Sequence, residues 1–179
     1  MILGVSELLK LVKEKKLVEG LCERELTNPE GAGFDLRLGK VWEISGETFL
    51  GITERKTVDA KLLLEFMEGE SRVFEFKPGQ QVLITMVERV NMPENLTANF
   101  WLRGTMYRSG IILSGGNIAP GYKGELSVTL FNSSKNTVKI EMGARIIHIL
   151  FYEIKGTSNL YRGQWQDGRI VATKKEKQV

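Results

Sequence analysis

From Glu125 to Phe131 the chain alternates strictly, with Glu125, Ser127, Thr129 and Phe131 on one side of an extended backbone and Leu126, Val128 and Leu130 on the other. A strand of this kind buries its aliphatic face and turns the other towards solvent, a subunit interface or a pocket. Short apolar runs of similar length recur at Val41 to Ile44, Val73 to Phe76, Gln81 to Met86, Ala98 to Leu102, Gly110 to Leu113, Thr137 to Ile140 and Arg145 to Phe151, punctuated by Gly, Pro and Asn. Many short strands at near-regular spacing predict a mainly β fold, a distorted jelly roll or β-sandwich.

Two segments read differently. Leu8, Leu9, Val12 and Leu17 recur at helical spacing with Lys and Glu between them, which predicts one N-terminal helix with Ser6 available as its cap. The run AKLLLEFM from Ala60 to Met67 fits a second, short helix. With 179 residues and no visible repeat or linker, the expected organisation is one domain over residues 1–170, its last part (about 156–170) forming an arm, followed by a charged, disordered tail at 171–179.

Composition narrows the partners. Hydrophobic residues make up 42% and charged residues 26%, and no apolar run approaches the roughly 20 residues that cross a bilayer. The start, MILGVSELLK, lacks the basic and apolar blocks of a secretion signal, so the expected compartment is the cytoplasm, away from membranes. The net charge of +3 owes much to the terminal KKEK, Lys174 to Lys177, and basic residues are not interleaved with aromatic platforms, which argues against a nucleic-acid partner. The single cysteine, Cys22, can form no internal disulfide and has no neighbouring histidine for a zinc site or a Cys–His nucleophile.

The chemistry concentrates between Arg103 and Asn132. Arg103 and Arg108, five apart around Gly104 and Thr105, can offer forked donors and a hydroxyl to phosphate oxygens; the competing reading makes both arginines surface or interface ion pairs. Pro120 to Gly124 reads as a tight turn joining two strands, with glycine permitting close backbone approach. His148, the only histidine, sits in an apolar strand and reads as a satisfied core or interface residue.

The order GFDLRLG (Gly33 to Gly39), LRGTMYRSG (Leu102 to Gly110), IAPGYKGELSVTLFN (Ile118 to Asn132), MGARIIHILF (Met142 to Phe151) and YRGQ (Tyr161 to Gln164) resembles the dUTPase and dCTP deaminase superfamily. The N-terminal MIL with its helix and the YRGQ ending resemble the dCTP deaminase branch, including bifunctional archaeal-type members. The resemblance implies a dUTPase-like β-clip, a homotrimer with pockets shared between subunits, and a pyrimidine deoxynucleotide, dUTP or dCTP, accompanied by Mg2+. It implies substrate contacts from Arg103, Gly104, Thr105, Arg108, Asn117 and Tyr122, the last packing on the deoxyribose, and from a closing arm bearing Tyr161, Gln164 and Trp165. It gives Asp35 a water-mediated part in a magnesium network; read on its own, Asp35 caps a turn or pairs with Arg37. Trp165 on its own reads equally as a packing residue.

Three positions depart from the pattern. Ala119 stands where the family places the aspartate that activates water for dUTP hydrolysis, Thr129 where it places the deaminase glutamate, and Gly104 where it places a serine. Glu125, roughly 13 Å along the strand from Thr129, and Asn117, which can orient water without taking its proton, are the nearby substitutes. The implied function is dUTP hydrolysis to dUMP and pyrophosphate, with dCTP deamination as runner-up; the alternative is a catalytically impaired homologue that binds nucleotide in a regulatory or structural oligomer.

Overall fold

The computed structural model describes residues 1–172 and 176–177. In chain order the elements are α1 (Val5–Lys15), β1 (Val18–Glu19), α2 (Glu23–Thr27), β2 (Gly33–Ser45), β3 (Phe49–Leu50), β4 (Glu54–Lys56), β5 (Asp59–Glu65), β6 (Val73–Phe76), β7 (Gln81–Asn91) and β8 (Leu96–Leu102). There follow α3 (Gly104–Arg108), β9 (Ile111–Ser114), β10 (Asn117–Ile118), β11 (Lys123–Asn132), β12 (Val138–Glu141), β13 (Arg145–Glu153), a 3-10 turn (Gln166–Gly168) and β14 (Glu176–Lys177).

The alternation along β11 is realised as expected: Leu126, Val128 and Leu130 are buried while Ser127 and Thr129 are partly exposed. β11 pairs antiparallel with β7, placing Thr129 opposite Leu83, and with β9, placing Thr129 opposite Ser114. The main curled sheet runs β10-β8-β13-β2-β7-β11-β9, with β1 on β7 and β5 on β2; β6 with β12, and β3 with β4 and β14, form two smaller ribbons. All of these pairings are antiparallel, in line with the predicted mainly β class. Inward-facing aliphatic residues of β2, β7, β8, β11 and β13, including Phe34, Leu36, Ile84, Ala98, Leu130, Ile147 and Phe151, form the core with Leu8 and Leu17 from the helical end.

The helix expected over Ala60 to Met67 is absent: the chain is strand β5 up to Glu65 and irregular at Phe66 and Met67. β5 pairs along β2 from Asp59 opposite Ser45 to Glu65 opposite Lys40, so its backbone groups are satisfied by the long neighbouring strand. An eight-residue apolar run is too short to hold a helix by itself, and the sheet edge supplies partners that local propensity does not.

The N-terminal helix is present, with a different start. Leu3 N–H donates to Phe151 O at 3.0 Å and Ile2 bridges Tyr152, which keeps the chain extended up to the helix. Gly4 is therefore the N-cap, Ser6 lies inside the first turn, and no side chain caps α1. Further along, α2 and α3 are helices of 5 residues each. No helix among the described residues is long and apolar enough to cross a membrane.

At the C-terminus, Ala172 N–H donates to Thr57 Oγ1 at 3.4 Å and β14 pairs with β4. The remainder of the expected tail, residues 173–175, 178 and 179, lies outside the described residues.

Candidate functional site

The turn between β10 and β11 projects Asn117 to Lys123 beside the C-terminal arm, and the two enclose a cavity of about 370 Å3. Phe100, Leu126 and Val128 contribute its apolar wall, Asn117, Ile118, Ala119 and Tyr122 the turn side, and Tyr161, Trp165, Arg169 and Ile170 the arm side. Ser127 also lines it, and its Oγ is buried without a hydrogen-bond partner among the described residues. The volume and the mixture of apolar walls with few polar groups are those of a small-molecule site.

The arm is tied to this turn by directional contacts. Tyr161 N–H donates to Pro120 O at 2.7 Å, and its ring meets the Tyr122 ring edge to face, 5.3 Å between centroids at 84°. Trp165 N–H donates to Tyr161 Oη at 3.2 Å. The Gln166 amide bridges the turn itself, donating through Nε2 to Gly121 O at 3.1 Å and accepting at Oε1 from Lys123 N–H at 3.1 Å. Arg89 and Asp167 close the contact with an ion pair of 2.8 Å. Gly124, at φ +144°, allows this approach: a Cβ there would stand 2.2 Å from Gly168 N.

Tyr122 is buried, and its hydroxyl donates to Glu125 O at 2.7 Å. Burial, reinforced by the neighbouring Tyr161, pushes its phenol up to about 12. It is therefore a neutral donor and an apolar face throughout the ordinary pH range.

A second cluster lies where β2, β13 and the start of α3 meet. Asp35, 3% exposed, has both oxygens engaged: Oδ1 with His148 Nδ1 at 2.8 Å, and Oδ2 with Arg103 Nε at 3.0 Å and Arg145 Nη1 at 3.2 Å. Burial alone would raise its carboxyl, but the His148 hydrogen bond and the charges of Arg103, His148 and Arg145 outweigh it and hold the group below the usual carboxylate range. The alternative pairing with Arg37 does not occur. Arg37 instead binds the buried Glu88 through its backbone N–H at 2.8 Å and Nε at 2.7 Å. The expectation for His148 as a satisfied residue holds: it is partly buried and paired.

Of the residues singled out in the sequence, the cavity gathers Asn117, Ala119, Tyr122, Tyr161 and Trp165. Arg103, Gly104, Thr105 and Arg108 do not line it; Gly104, Thr105 and Arg108 are solvent-exposed on α3, and Arg103 turns onto Asp35. Thr129 does not line it either. Glu125, the nearby carboxylate, faces Lys40 Nζ at 3.3 Å, and Asn117 Nδ2 donates to Thr97 Oγ1 at 3.3 Å. Gln164 buries its Oε1 without a partner among the described residues and is not a wall of the cavity. Among the described residues, no Asp or Glu lines the cavity. Sequence reasoning missed Ser127, Phe100 and Arg169, and it missed Glu25 and Arg145; only Ser127 carried a signal, its place on the polar face of β11.

Asp35 does not fit a magnesium ligand. Its oxygens are occupied by Arg103, Arg145 and His148 and its side chain is 4% exposed, so an ion or its water would have to displace one of these bonds.

The pattern of the dCTP deaminase-like family matches residues 2–154. The chain is 29% identical over 167 residues to the dCTP deaminase of Thermococcus kodakarensis, covering 93% of this chain and 95% of that protein. It is 30% identical over 159 residues to a dUMP-forming dCTP deaminase of Dictyoglomus turgidum, covering 86% of this chain and 81% of that protein. Its fold resembles the crystal structure of 2'-deoxycytidine 5'-triphosphate deaminase from Agrobacterium tumefaciens, with a TM-score of 0.64 at 16% identity; the match covers 84% of this chain and 48% of that one, so the chain spans about half of its length. On the extent of the family match, the chain belongs to the dCTP deaminase-like family.

Proposed function

We propose that this protein binds a pyrimidine deoxynucleoside triphosphate, dUTP or dCTP, with base and sugar in the cavity between the turn that links β10 to β11 and the arm. The observation that carries the reading is the Tyr122–Tyr161 contact closing a cavity of nucleoside-like character, 5.3 Å between rings, with no carboxylate on its walls. Tyr122 offers a flat face to a deoxyribose, and Asn117 and Ser127 supply the few polar groups that orient a base.

The phosphate end is completed by a second copy of the chain. Thr105 and Arg108 stand exposed outside the cavity, beside the half-exposed Trp101, Tyr107 and Ile112. An exposed apolar patch adjoining unpaired phosphate-binding groups suits a subunit contact, and a homotrimer would bring α3 of one protomer to the cavity of the next. Mg2+ would arrive with the triphosphate rather than on a protein carboxylate. The compartment that suits such a binder is the cytoplasm.

Binding without efficient turnover is the conclusion that the missing carboxylates favour. Hydrolysis of dUTP to dUMP and pyrophosphate is the second reading, supported by the likeness to a dUMP-forming relative. Calorimetric titration with a non-hydrolysable dUTP analogue and Mg2+ tests binding, with saturable heat expected. Parallel incubation with dUTP and dCTP, following pyrophosphate and ammonia, separates the two readings; absence of saturable binding sinks both.

A further inference from the structure

Glu25 is a fully buried glutamate on the short helix α2, outside the cavity and outside every recognised motif. A buried carboxylate is tolerated only when its oxygens are satisfied, and here each has an assigned donor. Oε2 accepts the backbone N–H of Asp35 at 2.9 Å. Oε1 accepts Arg145 Nη1 at 3.0 Å and is shared with Arg24. The same Arg145 Nη1 reaches on to Asp35 Oδ2 at 3.2 Å, and that oxygen also takes Arg103 Nε at 3.0 Å.

The bonds form a chain with Arg103 at its end. Arg103 is fixed by its backbone N–H to Ile146 O at 2.9 Å, by Nε to Asp35, and by Nη1 to Arg145 O at 3.4 Å. Its Nη2 carries no hydrogen bond among the described residues. The guanidinium is thus held through Nε and Nη1 while its side chain stays about one third exposed, two residues before Thr105 in the chain.

We infer that Glu25 is a positioning residue for phosphate recognition: by drawing Arg145 Nη1 onto its own Oε1 and holding the Asp35 backbone, it keeps Arg145 from taking Asp35 Oδ2 fully, so that the shared oxygen orients Arg103. This rests on the proposed triphosphate binding, with Arg103 in the substrate contact that the family resemblance implies for it. Replacing Glu25 by Gln keeps shape and removes charge. The amide cannot accept from both the Asp35 N–H and Arg145 without turning its NH2 towards one donor. Arg145, released from its charged partner, then competes with Arg103 for Asp35 Oδ2, and the fork loses its fixed orientation.

The test compares wild-type and E25Q full-length protein by calorimetry, using a non-hydrolysable dUTP analogue and deoxyuridine as probes. The expected result is a loss of about tenfold in affinity for the triphosphate analogue with deoxyuridine affinity within about twofold, as for one misdirected charge-assisted contact. Equal losses for both probes make Glu25 merely structural and overturn the inference, as does unchanged triphosphate affinity. R145Q carries the same test, since it removes the cationic nitrogen that Glu25 Oε1 and Asp35 Oδ2 share. If both variants lose the folded circular dichroism spectrum, the cluster is structural and the inference also falls. Failure of the wild-type protein to bind either probe would instead count against the proposed function.

Discussion

Arg103 points its Nε at Asp35 from 3.0 Å, joining the residue that precedes α3 to the start of strand β2, 68 positions earlier. A basic residue expected to reach outward for phosphate is instead half committed to a buried carboxylate. That commitment gives the guanidinium a direction, and it makes Asp35 a stability element as well as a part of the site.

Asp35→Asn leaves Arg103, Arg145 and His148 around a neutral acceptor. Removing one member of a buried ionic cluster costs about 3–5 kcal/mol at neutral pH, read as a fall in the urea midpoint. The wild-type carboxyl lies below its ordinary value of 3.8. Its contribution is therefore present above that pH and lost as pH falls through the lowered folded value. Melting temperatures followed from pH 7 to pH 2.5 should show an acid limb in the wild type that is shallower in D35N; parallel limbs would refute the assignment.

Tyr122 gives the opposite sign. Its folded phenol titrates at about 12, while the unfolded one ionises near 10. The neutral form is favoured by the fold, so stability is intact below about pH 10 and declines by about 2–3 kcal/mol as pH rises towards 12. Absorbance at about 295 nm reports phenolate, and of the 4 tyrosines the late titration should vanish in Y122F. Its persistence in that variant would place it elsewhere.

Gly124→Ala places a methyl 2.2 Å from Gly168 N and 2.7 Å from Asp167 C, on a backbone at φ +144°. The arm, held by fewer contacts than the sheet, is what yields. Proteolysis within residues 156–170 should accelerate by roughly tenfold or more, which corresponds to about 1.4 kcal/mol in arm docking. The buried strands should be cut no faster; uniform sensitivity would mean that the whole fold had been weakened.

The sheet was legible because its signals are local. Alternation along Glu125 to Phe131 needs only the period of a strand, and the order of glycine-containing motifs identified the family without any long-range contact. The N-terminal helix was legible for the same reason. The run at Ala60 to Met67 was not, because three consecutive leucines satisfy helix and strand alike and the choice fell to the partner strand β2.

The sequence by itself determined the mainly β class and the family, both of which depend on residue type and spacing. The tertiary structure decided which candidates meet. It gathered Asn117, Ala119, Tyr122, Tyr161 and Trp165 around one cavity, left Thr105 and Arg108 outside it, and turned Arg103 onto Asp35. It also buried Glu25 against Arg145, 120 residues away. A side chain's type is written in the chain, but its partner is set by which strands and helices pack together, and that packing is a cooperative outcome of the whole core rather than of any local pattern.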